Sequence, residues 1–79
     1  MILPLQQTSK MEFKLNGNEF IPLNALLKTV DIAESGGQAN MFISDGEVSI
    51  DGKLETAKRK KVRAGQVVTI FDKTVQVLD

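Results

Sequence analysis

The sequence predicts an α+β domain, with two helices packed on one side of a small antiparallel sheet. Three observations lead there. Met11, Phe13 and Leu15 near one end, and Val75 and Val77 near the other, alternate with polar residues as half-buried strands do. Leu23, Leu26, Leu27 and Val30 recur at i, i+3, i+4 and i+7, one apolar face of a helix. The pairs Asn16-Gly17 and Asp51-Gly52 fall between such segments and are hairpin-turn signals.

Taken in order, residues up to about Ser9 carry no periodic signal and are expected to form a loose terminus. The first strand follows, and Asn16-Gly17 predicts that Phe20-Ile21 returns beside it as a short partner. Pro22 suits the first turn of a helix that ends near Asp31, with Asn24 and Lys28 on its outer side. A second helix should start at Ser35, bury Ala39, Phe42 and Ile43, and stop at Gly46 in a left-handed turn. Val48 and Ile50 then alternate with Glu47 and Ser49, and Leu54 is the next residue expected inside. Ala64-Gly65 is a further turn. Gln66 to Phe71 is apolar on both faces, as in a central strand, and Asp72-Lys73 turns it into Thr74 to Leu78. No internal repeat or linker interrupts this order.

At 79 residues the chain holds one domain. A domain of this size buries only about 60–65% of its unfolded surface, which leaves little room for a deep catalytic cleft. Cysteine and histidine are absent, which removes disulfides, thiol nucleophiles, the common zinc patterns and the usual neutral-pH general base. No cofactor is expected. The acid pairs Asp31/Glu34 and Asp45/Glu47 have no catalytic or metal-site spacing and read as exposed acids flanking helices. The opening Met-Ile-Leu-Pro-Leu is too short for a signal peptide, and no apolar run approaches a membrane span, so a cytoplasmic location without membrane partners is the expectation.

Formal net charge is zero, but its distribution is polarised. Every charged residue from Asp31 to Asp51 is acidic, whereas Glu55 is the only acid between Lys53 and Arg63. Such a chain can still steer a polyanion to one face. Lys58-Arg59-Lys60-Lys61, flanked by Lys53 and Arg63, has no interleaved acid to pair it internally, and a polyanion would relieve its self-repulsion. Ser35 and Gln38 form a capping-box pattern around Gly36 and Gly37, whose amides no side chain covers. Bare amides at a helix N-terminus attract phosphate, although an ordinary capped helix carries the same pattern. Lys28, on the outer side of the first helix, is a further candidate contact. Phe13, Phe20, Phe42 and Phe71 all lie in apolar patterns and are expected in the core, and tryptophan and tyrosine are absent. Few side chains remain for stacking bases, which favours the shape and backbone of folded or double-stranded RNA over splayed single strands.

Together these segments resemble a known family. The ordered set is Leu26-Leu27-Lys28, Ile32 to Ala39, Gly46 to Gly52, Lys58 to Lys61 and Ala64 to Val68. It is similar to the RNA-binding domain named after ribosomal protein S-four, in its small standalone bacterial form, over about residues 20–71. The resemblance implies helices against a small, bent antiparallel sheet. It also implies that the helix pair and neighbouring basic loop bind structured, ribosome-associated RNA. Asn40 stands where the family pattern usually has a basic residue, which implies that one phosphate contact is either lost or replaced by a neutral hydrogen bond.

The leading expectation is therefore a non-enzymatic binder of structured RNA, ribosomal RNA foremost and DNA less favoured, acting on or near the ribosome. The alternative is a protein–protein interaction module that keeps the fold without the RNA. Neutral total charge and Asn40 favour that alternative.

Overall fold

In the computed structural model, which describes residues 9–79, the chain order is strand, strand, helix, helix and five further strands. The elements are β1 (Ser9–Lys14), β2 (Ile21–Pro22), α1 (Leu23–Thr29), α2 (Gly36–Ser44), β3 (Val48–Ile50), β4 (Lys53–Leu54), β5 (Lys61–Val62), β6 (Val67–Ile70) and β7 (Lys73–Leu78). The α+β arrangement is the one predicted. The loose terminus expected up to about Ser9 lies outside the described residues, except for Ser9 itself, which opens β1. No helix among the described residues is long and apolar enough to cross a membrane.

The main sheet has the order β1-β7-β6-β3-β4, and β2 and β5 form a separate two-stranded piece. Its core face carries Val48 and Ile50 of β3, Val68 and Ile70 of β6, and Val75 and Val77 of β7, all buried. Against them pack Leu23, Leu26 and Leu27 of α1 and Ala39 and Ile43 of α2. The apolar periodicities of the sequence thus converge on one core.

Pairing differs from expectation at the edge. The Asn16-Gly17 turn forms, with φ of 53° and 91° and the Asn18 amide donating to the Leu15 carbonyl at 3.2 Å. The chain leaving it does not return on β1. Ile21 lies opposite Val62 of β5, while β1 runs parallel to β7, making the sheet mixed. Turn residues set local backbone angles but not the partner. Here β1 pairs with β7 along one edge as far as Leu15, whose amide donates to Leu78 at 2.8 Å, and Ile21 finds its partner in β5 instead.

Two further inward expectations are corrected. Leu54 is 64% exposed, because the two-residue Asp51-Gly52 turn sets it opposite Ser49, on the solvent side of the sheet with Thr69. Parity along a strand decides the face, and Leu54 has the outward parity. Phe71 is 54% exposed and lies in the tight β6–β7 turn, at φ 55°, resting edge-on against Phe42 at 5.1 Å. The turn is Phe71-Asp72, one residue earlier than predicted, with Lys73 already in β7. Phe13 and Phe42 are half-buried at the core margin, whereas Phe20, also half-buried, lies apart from the core cluster.

Both helices end in the same device. In α2, Gly46 at φ 80° lets its own amide reach Ile43 and the next amide reach Phe42, the paired bonds of a Schellman cap. In α1 the equivalent residue is Asp31 at φ 64°, with its amide on Lys28 and that of Ile32 on Leu27. A side chain at that position is strained where glycine is not. Asp31→Gly is therefore expected to stabilise the fold by about 0.5–1 kcal/mol. A urea midpoint that stays put or falls would contradict this.

Candidate nucleic-acid interface

Ser35 is the N-cap of α2, in extended conformation, and its Oγ accepts the Gln38 amide proton at 3.1 Å. The Gln38 side chain reaches back, with Oε1 accepting from the Glu34 amide at 2.6 Å. The reciprocal pattern predicted from Ser35 and Gln38 therefore forms, closing one residue earlier than a standard capping box. Between these bonds the amides of Gly36 and Gly37 have no hydrogen-bond partner among the described residues. Neither glycine has a positive φ. A Cβ at Gly36 would meet nothing within 4 Å, and one at Gly37 would meet only Ser35 Oγ at 3.8 Å. Folding does not demand glycine here, and the two amides are open to close approach.

The basic segment is fixed by its main chain, and its side chains are exposed. Pro22 precedes α1 without a side-chain cap, so the first amides of α1 need acceptors from elsewhere. The Lys60 carbonyl takes the Leu23 amide at 2.8 Å, and the Lys58 carbonyl takes the Asn24 amide at 3.0 Å. The loop is thereby clamped to the start of α1. Lys58, Arg59, Lys60 and Lys61 are exposed and form no ion pair among the described residues. Val62, buried in β5, anchors the far end of the run.

One side-chain pair joins the start of α1, where this loop is clamped, to α2. Asn24 Nδ2 donates to Asn40 Oδ1 at 3.1 Å across the two helices. Gly36 and Gly37 lie four and three residues before Asn40, on the same flank of α2. Lys28, exposed, lies one turn after Asn24 on the matching flank of α1. The contacts run without interruption from the cationic loop through the start of α1 and the Asn24–Asn40 pair to the open turn of α2. Lys53, exposed on β4, borders the same cleft as Lys60 and extends the surface on its other side.

Sequence reading missed two members of this neighbourhood. Phe20 was assigned to the core, yet its ring lies 5.0 Å beneath the Lys61 ammonium and 5.8 Å from the Arg63 guanidinium. Cations over an aromatic face are held in place without being neutralised. Arg63 also approaches Glu19 at 3.9 Å, an exposed pair that contributes little. Asn24 had no signal beyond being polar on a helix. The first depends on β2 pairing with β5 and the second on α1 packing against α2, and nothing local encodes either contact.

The S4 domain, as a family model, matches residues 13–78. The chain belongs to the S4 domain family. Over 66 residues it is 42% identical to the "Putative RNA-binding protein YbcJ" of Escherichia coli (strain K12), covering 84% of this chain and 94% of that protein. It is 36% identical over 52 residues to the "Probable ribosome maturation protein RlbA" of Bacillus subtilis (strain 168), covering 66% of this chain and 73% of the other. The solution structure of YbcJ from E. coli, described as revealing an αL motif involved in RNA-binding, superposes with a TM-score of 0.69 at 38% identity. That match covers 100% of this chain and 98% of YbcJ. Within this S4 domain, then, the cationic loop is hydrogen-bonded to the start of α1, and Asn24 there to Asn40 of α2.

Proposed function

We propose that this S4-domain protein binds structured RNA without catalysing a reaction, chiefly through backbone phosphates and duplex shape. Ribosomal RNA is the foremost target. The observation that carries the reading is the continuity of the surface from Lys58–Lys61 through Asn24–Asn40 to the free amides of Gly36 and Gly37. One phosphate sits on those amides beside Ser35 and Gln38, and Asn40 adds a neutral polar contact. Lys28, Lys53, Lys58, Arg59, Lys60, Lys61 and Arg63 supply attraction along the strand. The RNA-binding motif described for YbcJ and the ribosome-maturation name of RlbA support the same class of partner.

The test is binding of a structured ribosomal RNA fragment over a series of salt concentrations. With four or five phosphate contacts, log K should fall against log salt with a slope of roughly −3 to −4.5. Absent binding at low salt, or binding indifferent to salt, would count against the proposal. The double variant Gly36→Ala, Gly37→Ala sharpens the test. Removing two glycines from the first helical turn is expected to leave folding as stable or firmer by up to ~1 kcal/mol. Added methyl groups are expected to crowd the approach of a phosphate to these amides, so RNA affinity should drop roughly tenfold, about 1.4 kcal/mol. Equal affinity in the variant would remove the amides from the site. A duplex DNA of equal length serves as competitor, since the 2′-hydroxyl and A-form shape separate the two nucleic acids.

A further inference from the structure

A cleft of about 250 Å³ opens beside the cationic loop, lined by Ile50, Asp51, Lys53, Glu55, Lys60 and Gln66. We infer that it receives a single unpaired nucleobase, guanine in preference to the others, from the RNA bound on the adjoining face. The inference rests on the RNA-binding reading and adds a base contact to it.

Charge decides between phosphate and base. Lys53 and Lys60 are balanced by Asp51 and Glu55 in the same lining, so a phosphate entering the cleft would meet two carboxylates. A neutral, hydrogen-bonding ring would not be repelled. Size agrees, because the volume is below the roughly 300–1,000 Å³ of pockets for drug-sized ligands. Ile50 lines the floor of the cleft with the small part of it that the core leaves exposed.

The polar groups are held in place rather than loose. Asp51 Oδ1 accepts the Val67 amide at 3.0 Å, Glu55 Oε2 accepts the Ala57 amide at 3.0 Å, and Gln66 Oε1 accepts the Arg63 amide at 2.7 Å. Each side chain is thus tied to the main chain by one terminal atom, and its other terminal atom has no partner among the described residues. What remains is two carboxylate oxygens as acceptors, one amide nitrogen as donor, and two ammonium groups. Guanine carries neighbouring N1–H and N2–H₂ donors that suit carboxylates, with O6 and N7 as acceptors for ammonium or amide donors. Adenine, cytosine and uracil each lack that pair of adjacent donors.

The experiment is an NMR titration of the ¹⁵N-labelled protein with the four ribonucleoside 5′-monophosphates and with ribose 5-phosphate. Guanosine monophosphate should shift the amides of Asp51, Lys53, Glu55 and Gln66, with an apparent Kd roughly fivefold or more below those of the other three. Glu55→Gln keeps an acceptor for the Ala57 amide and replaces the unpartnered oxygen by a donor, so the guanine preference should vanish in it. Equal shifts with all four nucleotides, or with ribose 5-phosphate alone, would overturn the inference. So would a guanine preference that survives Glu55→Gln. If ribosomal RNA binds with the expected salt slope while guanosine monophosphate leaves the cleft unmoved, the cleft fails and the RNA reading stands. Shifts at the cleft in a protein that binds no structured RNA would mean the reverse.

Discussion

Replacing Lys58, Arg59, Lys60 and Lys61 together by alanine is expected to weaken binding of structured RNA by roughly 100-fold or more at low salt. Each phosphate contact removed takes about one unit from the salt slope, so the steep dependence of the parent protein should flatten by roughly 3 to 4. Folding should change little. The side chains are exposed and lack ion pairs among the described residues, and the hydrogen bonds that clamp the loop to α1 come from the Lys58 and Lys60 carbonyls, which alanine retains. Only the contact of Lys61 with Phe20 is lost, which limits the stability change to about 1 kcal/mol. Urea denaturation and a salt series of binding isotherms, run on the same preparation, separate the two effects. A variant that folds normally and binds with an unchanged slope would show that the loop is a solvated charge run.

Leu27→Ala should have the opposite profile. Leu27 is fully buried between the helices and the sheet, and its carbonyl takes the amides of both Ile32 and Ala33 at 3.0 Å where the chain turns toward α2. Removing the side chain leaves a cavity that close-packed neighbours fill only in part, at about 2–5 kcal/mol. A domain of this length has only about 4–12 kcal/mol in all. The urea midpoint should fall steeply with little change in m-value, and RNA binding should be lost only at temperatures where the variant unfolds. An unfolding free energy within about 0.5 kcal/mol of the parent would contradict the placement of Leu27 in the core. The two variants together separate charge from packing. The expected outcome is a loop that acts on RNA while scarcely touching the fold, and a Leu27 that does the reverse.

Much of the candidate site was legible because its signals are local. Ser35 and Gln38 are three residues apart, within reach of each other once a helix starts, and the helix end at Gly46 needs only its own backbone freedom. Phe20 and Leu54 were misread for the same physical reason. Each looks apolar in sequence, but its exposure depends on which strand lies opposite and in which register, and a shift of one residue turns a side chain from core to solvent. The cleft at Asp51, Glu55 and Gln66 was invisible, since it needs a hairpin, the loop that follows and β6 brought together.

The amino-acid order by itself determined the two helices, their buried stripes, the cap of α2, the cationic loop and membership of an S4-like family. These follow from periodicity, from turn and cap chemistry acting over a few residues, and from an ordered set of short motifs. Only the tertiary structure decided that β1 lies parallel to β7, that β2 pairs with β5, and that Asn24 bonds to Asn40 across the two helices. Those are long-range pairings. They depend on which edges remain free once the core has packed, and no window of neighbouring residues contains that information.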